Sequence, residues 1–173
     1  MNLMSFLSLL TPEVLLSAML VLLLVMKIFS DNFSRSTVLI VISLFFLASA
    51  IITLIVQPVG SLFGGMFVVI PMIAIEKSIL LFATFIISLL AFEWLLSYRN
   101  YLEFYLLLIS IMLGMFIMIS AGHFLSFYLG LEMATIPLAA LSAFDIDKPR
   151  SGEAGMKLIL SSAFSSGILL MGI

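Results

Sequence analysis

The chain has 173 residues, of which 64% are hydrophobic and only 9% charged, with a formal net charge of −2 at pH 7. Soluble domains carry roughly 25% charged residues, so this composition excludes a water-soluble globule; the slight acidic excess and the lack of any basic patch exclude nucleic acid as a partner. Cysteine is absent and His123 is the single histidine, which excludes disulfides, thiolate zinc sites, iron–sulfur ligation and a His-rich metal centre on this chain. A mean hydropathy of +1.39 leaves an integral membrane protein, with the lipid bilayer as its solvent.

A bilayer crossing needs about 20 mostly apolar residues. Stretches at 12–29, 37–57, 78–97, 102–121, 123–143 and 154–173 meet that requirement and are taken as helices one to six. The fold class is therefore all-α, a polytopic bundle of transmembrane helices. No basic segment precedes the first span, Glu13 stands at its start, and no Ala-x-Ala site precedes a soluble domain, so it reads as a retained helix rather than a cleaved signal. Ser30-Asp31-Asn32 closes the first span and Gln57-Pro58-Val59-Gly60 the second.

Residues 58–77 form the longest connection, where Gly60, Gly64, Gly65 and Pro71 make a continuous helix unfavourable. The run Met66-Phe67-Val68-Val69-Ile70 is expected either to lie in the membrane interface or to fold as a small hairpin. No Gly-Lys-Ser/Thr comes after these glycines, so they do not make a phosphate loop. Ser97-Tyr98-Arg99-Asn100 ends helix three, the tight turn Ser120-Ala121-Gly122-His123 separates helices four and five, and the charged loop Asp145–Gly152 separates five and six.

Lys27, Arg35, Arg99, Lys148 and Arg150 flank the loops after helices one, three and five, against Lys77 alone on the other side. The positive-inside rule then places those loops in the cytoplasm or matrix and the N-terminus outside.

Ionisable groups inside a span cost roughly 2.5–3.5 kcal/mol on insertion scales and persist where they face protein or water. Glu132 is the clearest example. It stands ~14 Å into helix five at 1.5 Å per residue, near mid-membrane, and its neighbours Gly130, Leu131, Met133 and Ala134 offer nothing to neutralise it. It reads either as a structural glutamate, protonated or paired, or as a proton relay. Pro137 removes the backbone donor for the Met133 carbonyl, next to Glu132, and equally serves as a packing kink. Lys157, about one turn into helix six, comes four residues after Glu153 and precedes Ser161 and Ser165 on one stripe. It either snorkels to the interface or forms part of a polar wall. A direct Glu132–Lys157 bridge is not expected, because the two differ in depth. His123 opens helix five on the face opposite Glu132, as an ordinary interfacial residue or as part of a proton path. Glu76, Lys77, Glu93, Arg99 and Glu103 lie near span ends, where solvent or headgroups account for them.

The stretch Ser120–Leu138, with Glu132 and Pro137, resembles the fifth helix of the antiporter-like membrane subunits of respiratory complex I, in particular their subunit N branch (mitochondrial chain 2). Ser151–Ile173, with Lys157, resembles the next helix of that family. The resemblance is carried by about 120–173; upstream it rests on helix count and orientation. It implies a division into leading helices one to four (1–121) and the start of a proton-translocating repeat (122–173), within a subunit of approximately fourteen helices.

It also implies that Glu132 and Lys157 act as proton-relay residues, with His123 as a weaker candidate. The other membrane-arm subunits are the implied partners. NADH, FMN, iron–sulfur clusters and quinone are implied on other subunits, with no cofactor bound by this chain. The implied location is a bacterial plasma membrane or, alternatively, a mitochondrial inner membrane. A related cation/proton antiporter or membrane-bound hydrogenase shares the glutamate logic, and a non-catalytic scaffold is the reading from another class. Because the chain stops in helix six, it is expected to be a fragment, a shortened form, or half of a split subunit completed by another polypeptide.

Overall fold

A computed structural model describes residues 8–29 and 34–172. Its elements are α1 (Thr11–Phe29), α2 (Arg35–Ile55), β1 (Gly60–Leu62), a 3-10 turn (Phe63–Gly65), β2 (Phe67–Val69), α3 (Pro71–Leu90), the short α4 (Phe92–Ser97), α5 (Tyr101–Ile119), α6 (Phe124–Ser142) and α7 (Pro149–Met171). Among the described residues, six helices (all but α4) are long and apolar enough to cross a membrane. The turn expected at Ser30-Asp31-Asn32 and the expected last residue of helix six, Ile173, lie outside the described residues.

Two helices start earlier than the sequence suggests. Helix three, expected over 78–97, begins at Pro71 and ends at Leu90, and the separate α4 takes up the chain from Phe92. Helix six, expected to begin at 154, starts at Pro149. The reason is common to both. Proline at the first helical position loses no intrahelical bond and has its φ already set, so it starts a helix as readily as it ends one. The connection after α2 is correspondingly shorter, and its apolar part is a hairpin. Gly60, Ser61 and Leu62 pair antiparallel with Val69, Val68 and Phe67. The turn between the strands takes positive φ at Phe63 (53°), Gly64 (67°) and Gly65 (93°), which only the two glycines adopt without strain.

The main core joins α1, α2, α3 and α5 through Leu16, Leu23, Leu39, Ile42, Phe46, Leu81, Ile109 and Phe116. Hydroxyls are threaded through it. Ser43 and Ser88 share a bond of 2.7 Å, Ser88 and Tyr105 another of 2.7 Å, and Thr84 donates to the Met112 sulfur at 3.1 Å. Such bonds between helices satisfy groups that neither lipid nor apolar side chains can.

The two ends of the bundle differ. At one end Lys27 bridges Glu103 at 2.8 Å, and Arg35 lies 6.0 Å from the centre of the Tyr101 ring. Trp94, Tyr98, Phe104 and Phe144 cluster there, and the Tyr98 hydroxyl donates to the Phe144 carbonyl at 3.1 Å. Such a group of amphipathic rings is typical of the membrane–water boundary. Lys148, before α7, pairs with Asp145 at 2.7 Å, and that hydrogen bond holds its amine above the ordinary lysine range. The hairpin lies at the other end.

Candidate functional site

Helix α6 lies tightly against α5. A Cβ at Gly114 would strike the Ala134 backbone, and one at Gly130 would come within 2.7 Å of the Met118 nitrogen. Glu132 lies about 200° round the helix from both Gly130 and Ala134 and so points away from α5. It shares a stripe with Ala139 and Ala143, the residues against which Gly155 of α7 closes; a Cβ at Gly155 would come within 2.6 Å of the Ala143 Cβ. The Glu132 carboxylate is half-buried and has no ion-pair or hydrogen-bond partner among the described residues. α6 continues unbroken through Pro137, whose missing N–H leaves the Met133 carbonyl without its helical donor.

Lys157, expected about one turn inside its helix, stands more than two turns inside because α7 begins at Pro149, and its ion pair is not with that carboxylate. It is 75% exposed and bridges Glu153 at 2.6 Å, the i,i+4 pair its spacing suggested. Ser161 and Ser165 are exposed along the same side. The α7 face turned to α6 runs instead through Gly155, Ser162 and Ser166. Gly155 closes on Ala139 and Ala143, so Ser162, about two turns further along the antiparallel α7, lies in the direction of Glu132 on α6. The seven-residue offset from Gly155 is the signal that would have pointed to Ser162 in place of Ser161. His123 is exposed and caps α6, its Nδ1 accepting the Leu125 N–H at 3.2 Å.

The structure corrects a second placement. Lys77, expected among headgroups, is 2% exposed; its ammonium bridges Glu13 of α1 at 2.5 Å and lies 5.0 Å and 5.6 Å from the ring centres of Phe67 and Phe116. Because α3 begins at Pro71, Lys77 falls six residues inside it rather than at its edge. Glu13 stood out in the sequence only as the charge that begins the first span. Of the other charges read as solvated, Glu93 and Arg99 are exposed, Glu103 pairs with Lys27 and Glu76 is half-buried. Among the described residues no three His, Cys, Asp or Glu side chains cluster as a metal site would require.

Residues 121–173, which hold Glu132, Lys157 and His123, match the family described as NADH:quinone oxidoreductase/Mrp antiporter, TM. The chain is 53% identical over 116 residues (65% of it) to NADH-quinone oxidoreductase subunit N of Phocaeicola vulgatus, covering 25% of that protein. Against subunit N of Methylovorus glucosotrophus it is 36% identical over 166 residues, 93% of this chain and 34% of the relative. The chain is homologous to the subunit N family. Subunit N of Parvibaculum lavamentivorans, 33% identical over 163 residues, aligns with the same 93% of the chain. The resemblance read from 120–173 thus extends upstream through the leading helices. The chain spans about a quarter to a third of the length of these subunit N relatives.

Proposed function

We propose that this chain is the leading part of a proton-translocating subunit in the membrane arm of an NADH-quinone oxidoreductase. NADH oxidation and quinone reduction take place on partner subunits, which carry the FMN, iron–sulfur clusters and quinone site. This chain contributes a proton path and no redox group. It sits in a bacterial plasma membrane with its N-terminus outside. The unit 1–121 packs as a support for 122–173, where the path starts.

The observation that carries this reading is Glu132: a carboxylate at mid-height of a membrane helix, turned from α5, with no partner among the described residues. Its charge is then set by what other helices bring to it. Lys157, more than two turns into α7, is a second relay member, and His123 stands where α6 meets the hairpin end.

The test is made in the assembled complex. Glu132→Gln keeps the shape and removes the titration, so proton translocation and the quinone reduction coupled to it should fall, with Glu132→Asp milder. Normal assembly with parental pumping would overturn the reading. The family description also names an antiporter, which favours cation/proton exchange as the second reading. In that case Glu132→Gln abolishes a cation-for-proton exchange that needs no NADH.

A further inference from the structure

The buried ion pair lies beneath the hairpin, and the hairpin lies on the turn that starts α6. Lys77 holds Glu13 on one side, while its ammonium faces the ring of Phe67, a residue of β2, and the ring of Phe116. An ammonium 5–6 Å from two ring centres, in a place closed to water, attracts both rings. From β2 the connection passes to the α5–α6 turn through backbone bonds. The Val68 N–H donates to the Ser120 carbonyl at 2.8 Å, the Gly122 N–H donates to the Met66 carbonyl at 2.9 Å, and Phe67 bridges Ala121. Gly122 is so close to Gly65 that a Cβ there would strike the Gly65 carbonyl oxygen. Beneath this cover Ser120 is fully buried, and its hydroxyl has no hydrogen-bond partner among the described residues.

We infer that Glu13 and Lys77 are a positioning pair whose charge holds the hairpin closed over Ser120 and keeps water from the end of the bundle where α6 begins. Packing alone gives a competing account. Leu62, Phe67 and Val69 also bury against Leu9, and that contact needs no charge. The two accounts differ in what happens when the charges are removed without leaving one of them unpaired. Nothing in the inference depends on proton transfer at Glu132.

The chain has no cysteine, so a single Ser120→Cys reports only on that turn. The full chain is labelled in membranes with a bulky, membrane-impermeant maleimide from whichever side modifies Ser61→Cys, an exposed hairpin position. Ser120→Cys alone should react slowly, and Lys77→Arg, which keeps the cation, should leave it slow. The paired Glu13→Leu/Lys77→Met variant buries no lone charge and should keep the fold, yet it should label faster by about tenfold or more, the scale of an eased local opening. Phe67→Leu should move in the same direction. Protection of Ser120→Cys in the folded double variant, or fast labelling in Lys77→Arg, would overturn the inference. Retained Ser61→Cys labelling shows that each variant is inserted.

Discussion

At the scale of single residues, Lys77 and Glu132 form a contrast. One is a buried cation with its counter-charge in place; the other is a half-buried carboxylate with none among the described residues. Removing one member of a buried ion pair costs about 3–5 kcal/mol, whereas replacing both with apolar groups of similar bulk is often nearly neutral. Lys77→Met alone should therefore lower the midpoint of thermal unfolding in detergent, and adding Glu13→Leu should restore most of it. A single variant as stable as the parent would show that the pair contributes nothing to the fold. Glu132 was legible in the sequence because depth along an apolar helix is a local property. Lys77 was not, because its partner is 64 positions away and its depth depends on where α3 starts. Lys157 was legible only in its local pair with Glu153; the proposed role needs groups the spacing does not name.

At the scale of elements, contacts between α5, α6 and α7 are set by residues without side chains. Lipid tails give helices no hydrophobic reason to associate, so close backbone approach at small residues carries much of the attachment. Gly155 meets Ala139 and Ala143, while Gly152, one turn earlier, has open space around it. Gly155→Leu should separate α7 from α6, read as loss of a crosslink between cysteines placed at Ala143 and Gly155's neighbour Ala154. Gly152→Ala should leave that crosslink intact, since it fills no contact and removes backbone freedom. Equal effects of the two substitutions would refute this account of the α6–α7 contact. The helices themselves were readable from apolar length. Their starts at Pro71 and Pro149 were not, because proline carries the same letter at the beginning of a helix as after its end. The hairpin was one of two readings of Met66–Ile70; pairing with β1 and cover from the α5–α6 turn, both non-local, decided for it.

At the scale of the whole molecule, the charges divide by end. Arg99, Lys148 and Arg150 are exposed near the aromatic cluster, and Lys77, the one cation near the hairpin among the described residues, is neutralised within the core. Burial removes Lys77 from the count of loop charges, which sharpens the bias the positive-inside rule uses. Cysteine labelling from outside should therefore modify Ser61→Cys and spare Ser151→Cys; the reverse pattern would invert the orientation.

The pairing of Glu13 with Lys77 also bears on how the chain is made. Helices leave the ribosome in order, so α1 reaches the membrane before its counter-charge on α3 has been synthesised. Until then the carboxyl near the start of α1 lacks its counter-charge, and α1 should settle only when α3 arrives with α2 between them. Membrane integration of the first three spans should then be coupled, as the following measurement checks. A nascent chain arrested with about 70 residues outside the exit tunnel should be extracted by alkaline carbonate, and one arrested with about 100 outside should resist it, with Lys77→Met abolishing the difference.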